Sequence, residues 1–385
     1  ETMMISRDLI TKLGRMAQKF PVVTLTGPRQ SGKTMLLRHV FQDYRYVSLE
    51  DLDMREFAQN DPRGFLSTYG NLVIIDEAQR VPSLFSYIQG IVDHEKREGM
   101  FILAGSHNFL LMEQVNQSLA GRTAVLKLLP LSHHELKKDG LPTMRVEEEI
   151  FKGGYPRIFD KGIDPSDFYP HYMETYLERD VRLLKNIGDL SKFILFVKMC
   201  AGRVGQLLNL SSLANDCSIS VPTATSWLSV LEASFICYRL QPNYKNYSKR
   251  LVKTPKLYFY DTGLVCSLLG IRSAEQLTTH YLYGGLFENL VVNEFVKLYY
   301  NQGIEPDLTF WRDSTGNEID LIDHREGEDY AYEIKSSQTF QLSFFKGLNR
   351  WASLSGSKHC SVIYAGEQNL TTSDGALQSW NTLFE

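Results

Sequence analysis

Eight consecutive residues near the start of the chain have the types and spacing that hold phosphate groups. They are Gly27, Pro28, Arg29, Gln30, Ser31, Gly32, Lys33 and Thr34. The octapeptide follows a five-residue apolar run and fits the pattern G-x-x-x-x-G-K-[ST]. In this pattern backbone N–H groups cradle an anion at a helix N-terminus, Lys33 reaches the β- and γ-phosphates and Thr34 ligates Mg²⁺. We therefore predict ATP and Mg²⁺ as cofactors; an incidental glycine-rich turn is the alternative.

A second pair of candidate residues ends the apolar run at 72–75. Asp76 and Glu77 follow this run directly. The carboxyl end of a strand beside a phosphate loop is where a magnesium site forms. We predict that Asp76 holds Mg²⁺ through water and that Glu77 polarises the attacking water. A protein that binds ATP without hydrolysing it needs only the first carboxylate, and solvated acids at a strand end are the remaining alternative.

Further polar residues are candidates for contact with the γ-phosphate. Asn108, or alternatively Ser106, follows the next apolar strand and is a candidate phosphate sensor; a plain turn or helix cap is the other interpretation. Arg122 follows a glycine at the end of a helical segment. It is a candidate arginine finger, in cis or on a neighbouring subunit, or else a helix C-cap cation. Arg157, after a Gly-Gly-Tyr-Pro sequence, is a candidate second sensor. Arg179 lies in a Glu-Arg-Asp sequence and is a candidate nucleotide contact or else part of a local ion-pair network.

The C-terminal third carries a separate set of carboxylates and a lysine. Glu333 and Lys335 alternate along one strand pattern and therefore share a face, while Asp320 belongs to a neighbouring strand. Glu288 lies in a preceding helical segment. The set resembles the PD-(D/E)xK nuclease core, which implies Asp320, Glu333 and Glu288 as metal ligands and Lys335 as the residue that orients water. The alternative is a cross-strand network on a binding-only version of the fold.

Residues 191–262 are rich in positive charge. They contain nine basic and three acidic residues, although the whole chain has a net charge of −4. Helical segments at 210–214 and 223–233 have helix-turn-helix spacing, and the two strand-like segments after them are typical of a wing. Six of the basic residues fall in 239–256 with no acid among them. We predict a winged-helix-like domain whose basic wing binds DNA phosphates; a wing that packs on protein is the alternative.

Alternating strand and helix patterns in the first third must position the phosphate loop. The predicted strands are Val22–Thr26, Tyr46–Leu49, Leu72–Ile75, Phe101–Ala104 and Ala124–Leu128. Helical patterns lie between them, at 33–41, 54–69, 83–95 and 109–119. This alternation favours a parallel sheet covered on both faces, so the predicted fold class is α/β.

Several of these sequences together resemble the AAA-type ATPases of prokaryotes whose C-terminal half is DUF4143, a domain of unknown function. The matching sequences are the phosphate loop, Ile-Asp-Glu at 75–77, Leu-Ala-Gly-Arg at 119–122, Gly-Gly-Tyr-Pro at 153–156 and Tyr-Leu-Glu-Arg-Asp at 176–180. The resemblance runs nearly end to end. It implies an AAA-like P-loop NTPase with the strand order 5-1-4-3-2 and a helical lid. His107-Asn108 departs from the family, where small hydroxyl residues are more usual, and this bears on the sensor assignment.

The patterns divide the chain into four predicted domains: an AAA-like P-loop ATPase core at 1–135, a helical lid at 136–190, a winged-helix-like domain at 191–262 and an α+β, restriction-endonuclease-like domain at 263–385. With 43% hydrophobic and 22% charged residues, the composition excludes a disordered chain. Five widely spaced cysteines indicate free thiols in a reducing compartment. Because no apolar run reaches about 20 residues, we expect a cytoplasmic protein without membrane contact.

Two functions of different classes follow from these residues. The first is an ATPase that couples hydrolysis to a nucleic-acid transaction, with DNA bound or cut by the C-terminal module. The second is an ATP-dependent switch that acts on a protein partner through an inactive nuclease-like fold. A finger role for Arg122 on a neighbouring subunit would further require a homo-oligomer.

Overall fold

The computed structural model describes residues 5–106, 108–175, 187–244 and 252–385. Five strands in the N-terminal third form a parallel sheet: β1 (Val22–Thr26), β2 (Arg45–Ser48), β3 (Val73–Asp76), β4 (Phe101–Gly105) and β5 (Thr123–Lys127). Their order is β2-β3-β4-β1-β5, which is the predicted order read from the other edge. Every residue of β1 and β4 is buried, as expected for central strands covered on both faces. The α/β prediction is therefore confirmed.

Helices cover both faces of this sheet. They are α1 (Ile10–Ala17), α2 (Lys33–Val40), α3 (Leu52–Asn60), α4 (Pro62–Tyr69), α5 (Ser83–Glu95) and α6 (Asn108–Ser118). Helices α1 and α2 contribute Leu13 and Leu36 to one hydrophobic cluster. Helices α4 and α5 contribute Phe65 and Phe85 to a second cluster on the opposite face. The phosphate loop, between β1 and α2, is thus held between two packed layers.

The predicted helix at 54–69 forms two helices. Asp61 ends α3 and caps α4, because its carboxylate accepts a hydrogen bond from the N–H of Gly64 at 2.9 Å. Pro62 then takes the first helical position, where its missing N–H costs no hydrogen bond. The other predicted strands and helices of this region differ from the observed ones by at most one residue at an end.

The rest of the chain combines helices with a second sheet. The helices are α7 (His133–Lys138), α8 (Val146–Lys152), α9 (Pro156–Asp160), α10 (Pro165–Tyr172), α11 (Leu190–Ala201), α12 (Leu210–Asp216), α13 (Val221–Ala233), α14 (Thr262–Leu268), α15 (Tyr283–Asn301) and α16 (Lys346–Ser355). The strands are β6 (Gln206–Leu207), β7 (Cys237–Pro242), β8 (Lys256–Phe259), β9 (Leu308–Arg312), β10 (Glu318–Arg325), β11 (Glu328–Lys335), β12 (His359–Tyr364), β13 (Leu370–Thr372) and β14 (Gly375–Ser379).

This second sheet joins two of the predicted domains. Its order is β13-β14-β12-β11-β10-β9-β7-β8-β6. Strands β7 and β8 form the antiparallel pair predicted as a wing, and β7 also pairs in parallel with β9. The strands of the predicted winged-helix-like domain therefore continue into the sheet of the predicted nuclease-like domain. The winged-helix interpretation of α11, α12 and α13 stays a prediction.

The Gly-Gly-Tyr-Pro sequence at 153–156 packs against the chain that leaves β5. The N–H of Leu131 donates to the carbonyl of Gly154 at 2.7 Å. The carboxylate of Asp261 accepts from the N–H of Gly154 at 2.8 Å and from the hydroxyl of Tyr169 at 2.7 Å. A side chain at Gly154 would collide with the carbonyl of Leu131, so this close approach requires glycine.

All five cysteines are free thiols, and four of them are buried. In the part of the chain that the structure describes, no helix has the length and apolar character to cross a bilayer.

Candidate nucleotide site

A cleft of about 420 Å³ opens beside the phosphate loop, at the carboxyl end of β3. It brings together most of the residues predicted for nucleotide binding. The predicted residues that line it are Arg29, Gln30, Gly32, Lys33, Thr34, Asp76, Glu77, Arg157 and Ser106, the alternative sensor. Gly27, Pro28 and Ser31 complete the same loop. The cleft also has lining residues that the motifs do not include, among them Arg7, Glu50 and Tyr172.

Two glycines allow the phosphate loop its path. Gly27 has a φ of +147°, and a Cβ there would collide with the carbonyl of Leu128, which follows β5. Gly32 has a φ of +96° at the N-cap of α2. Both conformations are unfavourable for residues with a side chain. The loop therefore ends at the N-terminus of α2, where unpaired backbone N–H groups favour an anion.

Lys33 is folded back onto its own loop. Its Nζ donates to the carbonyls of Gly27 at 2.9 Å and Pro28 at 2.7 Å. Burial lowers the pKa of the ammonium to about 8, although the carboxylates of Glu77 and Asp76 act in the opposite direction. These carbonyls are neutral partners, so the lysine charge remains available to a phosphate.

Asp76 accepts hydrogen bonds from two hydroxyl groups. Thr34 Oγ1 lies 2.6 Å and Tyr46 Oη 2.9 Å from its Oδ2 atom. The motif predicts the first partner, because Thr34 belongs to the loop and Asp76 to the strand end beside it. Tyr46 was missed, since nothing in the sequence around β2 marks it as functional.

Glu77 is oriented by two neutral donors. Ser106 Oγ, at the end of β4, donates to its Oε1 at 2.9 Å, and Gln79 Nε2 donates to its Oε2 at 2.6 Å. Glu77 itself has a φ of +53°, an uncommon backbone conformation for a residue with a side chain. The sequence identified Ser106 only as an alternative sensor and missed Gln79, although Gln79 follows the Asp-Glu pair by two residues.

The residues present fit a magnesium ion. Thr34 and Asp76 place a hydroxyl and a carboxylate oxygen, the hard donors that Mg²⁺ prefers, at the inner end of the cleft. Mg²⁺ usually binds through only one or two protein groups and completes its shell with water and substrate phosphates. Thr34 and Asp76 are therefore the residues that would hold it.

The predicted sensors occupy different positions. Arg157 lines the cleft from α9 and is exposed. Asn108 does not line the cleft; its Oδ1 accepts a hydrogen bond from Thr26 Oγ1 at 3.1 Å, at the end of β1. His107 and Arg179 lie outside the described residues.

Arg122 lies on the outside of the N-terminal module. Its guanidinium forms two hydrogen bonds with the Asp93 carboxylate, at 2.6 and 2.9 Å, and both side chains are partly exposed. It does not line the cleft. A finger role within the same chain is thus not supported by this arrangement, and a role toward a neighbouring subunit stays a prediction.

The predicted nuclease-like residues converge around a lysine that the sequence analysis had counted with the basic wing. Lys256, on β8, has a side chain 3% exposed, and its Nζ lies 2.8 Å from Glu288 Oε1 and 3.7 Å from Asp320 Oδ1. It also pairs with Glu318. We call Lys256, Glu288, Glu318, Asp320, Glu333 and Lys335 the acid cluster. Lys335 Nζ lies 2.7 Å from Glu333 Oε2, as expected for two residues on one strand face.

The metal ligands predicted in the acid cluster stay a prediction. Among the described residues, no group of three His, Cys, Asp or Glu side chains is placed to hold a metal ion. Burial and the charge of Asp320 raise the pKa of Glu333 to about 9, despite the nearby Lys335 ammonium. Although burial raises it, the Lys256 and Lys335 charges lower the pKa of Asp320 overall. Lys256 Nζ thus lies beside Glu288 and Asp320, two of the carboxylates that were predicted as metal ligands.

The predicted basic wing is also partly neutralised. Arg239 forms two hydrogen bonds with Glu232, at 2.7 and 2.9 Å, and Lys256 is buried in the acid cluster. Of the six basic residues in 239–256, Lys253 is the one that the structure describes as exposed. The other three, Lys245, Lys249 and Arg250, lie outside the described residues.

Family models and relatives match this chain along most of its length. A model described as an AAA domain matches residues 19–137, and two domains of unknown function, DUF8612 and DUF4143, match residues 143–275 and 283–383. An uncharacterized protein of Mycobacterium tuberculosis is 30% identical over 374 residues, which cover 96% of this chain and 82% of the relative. An uncharacterized protein of Mycobacterium bovis matches to the same extent.

Solved structures with a similar arrangement are more distant. The Walker-type ATPase of Pyrococcus abyssi has a TM-score of 0.43 and 15% identity, covering 69% of this chain and 96% of its own. AMPPCP-bound DnaA from Aquifex aeolicus has a TM-score of 0.27 and 14% identity, covering 58% and 86%. Together, the matching AAA and DUF4143 models and the mycobacterial relatives establish that this chain belongs to the family of AAA-type P-loop ATPases with a C-terminal DUF4143 domain.

Proposed function

We propose that the chain binds ATP in the cleft and hydrolyses it with Glu77 as the residue that polarises water. The observation that carries this proposal is the pair of hydrogen bonds that orient Glu77, from Ser106 at 2.9 Å and Gln79 at 2.6 Å. Binding alone needs the phosphate loop and Asp76. A second carboxylate held in one orientation at the same cleft supports hydrolysis as well.

The residues that take part in this mechanism have separate roles. The backbone N–H groups at the start of α2 bind phosphate oxygens, and Lys33 exchanges its loop carbonyls for the β- and γ-phosphates. Thr34 and Asp76 would hold Mg²⁺, which would neutralise phosphate charge. Glu77 accepts a hydrogen bond from the attacking water and directs it at the γ-phosphate. Arg157 lines the cleft and would contact phosphate from α9, whereas Asn108 does not line the cleft and is assigned no contact.

Substitution of Glu77→Gln tests hydrolysis separately from binding. We expect ATP to raise the melting temperature as in the wild type, because Lys33, Thr34 and Asp76 are unchanged, while phosphate release falls by at least a hundredfold. Glu50→Gln is the matched control, since Glu50 also lines the cleft but follows β2, whereas Glu77 follows β3. It should retain turnover. Unchanged phosphate release in Glu77→Gln would refute the proposed role.

We propose that ATP hydrolysis drives an output of the C-terminal module, for which two candidates remain. The first is a nucleic-acid transaction through the basic segment 239–256. The second is a switch that acts on a protein partner, and one observation favours it: Arg239 and Lys256 are already paired with carboxylates. Retention of DNA by the full chain at low and high salt separates the two. Phosphate contacts predict retention that falls steeply with salt, whereas a protein-partner switch predicts none at either salt concentration.

A further inference from the structure

Arg7 joins three segments of the nucleotide-binding module. It precedes α1, and its side chain is only 5% exposed although it reaches the cleft. Nη1 donates to the carbonyl of Ser31 at 2.8 Å, Nη2 to the carbonyl of Leu129 at 2.6 Å and Nε to the carboxylate of Glu135 at 3.0 Å. The planar guanidinium presents donors in a fixed fork, so it fixes the relative positions of all three partners.

The contact with Ser31 bears directly on the phosphate loop. The Ser31 carbonyl lies between Gln30 and Gly32, whose φ values are +60° and +96°. In a trans peptide unit, the C=O of Ser31 and the N–H of Gly32 point in opposite directions. Holding the carbonyl on the guanidinium therefore turns the Gly32 N–H away from Arg7. A residue with a side chain at positive φ, such as Gln30, needs support from its surroundings, and the contact of Arg7 with Ser31 is one such support.

The segment that carries the other two partners of Arg7 also forms hydrogen bonds with the C-terminal part of the chain. Leu129 and Glu135 belong to the chain that leaves β5 and begins α7. Between them, the carbonyl of Leu131 accepts from Lys297 Nζ at 2.8 Å, and the N–H of His133 donates to Glu294 at 3.0 Å. Lys297 and Glu294 lie on α15, and both are buried. Arg7 thus lies between the phosphate loop and a segment held by α15.

We propose that Arg7 is a positioning residue that keeps the phosphate loop in its anion-binding conformation. The proposal rests on the proposed function only in that the anion is the phosphate chain of ATP. The buried pair with Glu135 keeps the guanidinium in place, and Glu135 is itself held because its carboxylate accepts from the N–H groups of Asp8 at 2.9 Å and Ser132 at 3.0 Å.

Hydrogen exchange and nucleotide affinity test this proposal together. In Arg7→Met, we expect faster amide exchange in residues 27–36 of the nucleotide-free protein and an ADP dissociation constant at least tenfold higher. Arg7→Lys retains the charge but cannot reach three partners, so it should give an intermediate result. Arg203→Met is the matched control, because Arg203 pairs with Asp216 and bonds to Met199, away from the cleft. Arg203→Met should lower the melting temperature without changing the amide exchange of residues 27–36 or the ADP dissociation constant.

The outcomes separate this proposal from the proposed function. Wild-type exchange in 27–36 and wild-type ADP affinity in Arg7→Lys and Arg7→Met would overturn the positioning role, whatever the rate of hydrolysis. Should Arg7→Met fail to fold, the exchange rate and affinity of Arg7→Lys decide. If the wild type does not hydrolyse ATP, the proposed function is refuted instead. Faster exchange in Arg7→Lys would still support the positioning role in that case.

Discussion

The nucleotide cleft and the acid cluster contain the same kinds of charged side chain, but the groups that these side chains contact differ. In the cleft, the carboxylates of Asp76 and Glu77 accept hydrogen bonds from neutral groups, and Lys33 is bound to backbone carbonyls. In the acid cluster, the ammonium groups of Lys256 and Lys335 lie directly against carboxylates. In the first arrangement the Lys33 ammonium contacts only neutral carbonyls within hydrogen-bond distance, whereas in the second the opposite charges meet within the protein.

This difference is the one expected between a binding site and a structural network. Neutral hydrogen-bond donors orient a carboxylate without cancelling its charge, so a cation can still bind there. A buried ammonium among carboxylates cancels the charge, and removing one partner leaves the others uncompensated. A lysine and two acids in a sequence therefore do not by themselves identify a catalytic centre. The groups that the lysine contacts in the fold must also be known.

The largest expected effect is the loss of ATP binding in the cleft. Lys33→Ala removes the charge that binds the β- and γ-phosphates, so we expect ATP-dependent stabilisation to disappear. In the wild type, a ligand at a hundred times its dissociation constant stabilises the fold by about 2.7 kcal/mol. Thermal unfolding with and without MgATP measures the difference. A variant that keeps the full shift in melting temperature would show that the cleft does not use Lys33.

A large effect on stability is expected in the acid cluster. Lys256→Met leaves Glu288, Glu318 and Asp320 without their shared ammonium, and breaking a buried ion pair costs about 3–5 kcal/mol. Without nucleotide, Mn²⁺ should restore part of the lost melting temperature in this variant and should leave the wild type unchanged.

Lys297→Met is the matched control for Lys256→Met. Lys297 is a buried lysine outside the acid cluster, bonded to the carbonyl of Leu131. This variant should lose stability that Mn²⁺ does not restore. Wild-type stabilisation by Mn²⁺ that disappears in Asp320→Asn would instead show that the acid cluster holds a metal ion after all.

A smaller effect depends on pH. The pKa of Glu333 is about 9 in the folded chain and 4.5 without the fold. The folded state thus binds more protons between these values, and this residue's contribution to stability falls as pH rises from about 4.5 to 9. Glu333→Gln removes the titration. We expect its melting temperature, relative to wild type, to rise between pH 5 and pH 8; a constant difference would contradict the raised pKa.

The smallest effect is expected for Arg122, which lies outside both regions. Because its partner is Asp93 rather than the cleft, Arg122→Ala should leave ATP affinity unchanged and reduce turnover by less than about tenfold, well below the 10³–10⁵ of an arginine finger in place. Asp93→Asn is the matched control. A larger loss of turnover, restored by mixing the Arg122→Ala and Glu77→Gln variants, would place Arg122 in the cleft of a neighbouring subunit.

The nucleotide site was largely predictable because its parts are local in sequence. The phosphate loop needs glycines, a lysine and a hydroxyl at fixed spacing between a strand and a helix, and these are contiguous from Gly27 to Thr34. Asp76 and Glu77 end an apolar run, and parallel strands bring their carboxyl ends to one edge. The break at Asp61-Pro62 was also present in the sequence, as a capping residue followed by proline, although it was not used.

Other contacts could not be predicted, because they join segments that are distant in the sequence. Arg7 and Glu135 are 128 residues apart and Lys256 and Glu288 are 32 apart, so no spacing rule connects either pair. The charge count of 239–256 predicted a basic surface because it counted only neighbours in the chain. The structure pairs Lys256 with acids from α15 and β10.

The sequence by itself determined the α/β class, the strand order implied by the family resemblance, and the residues of the phosphate loop. The class and the loop residues follow from backbone requirements of short segments, which contiguous residues encode, whereas the strand order came only from the resemblance. Only the tertiary structure decided which charged groups remain available to a ligand, because the pairing of a charge depends on what the fold brings within about 4 Å of it. That is why Lys33 and Lys256, each predicted from a local pattern, belong to a binding cleft and to a closed ion network.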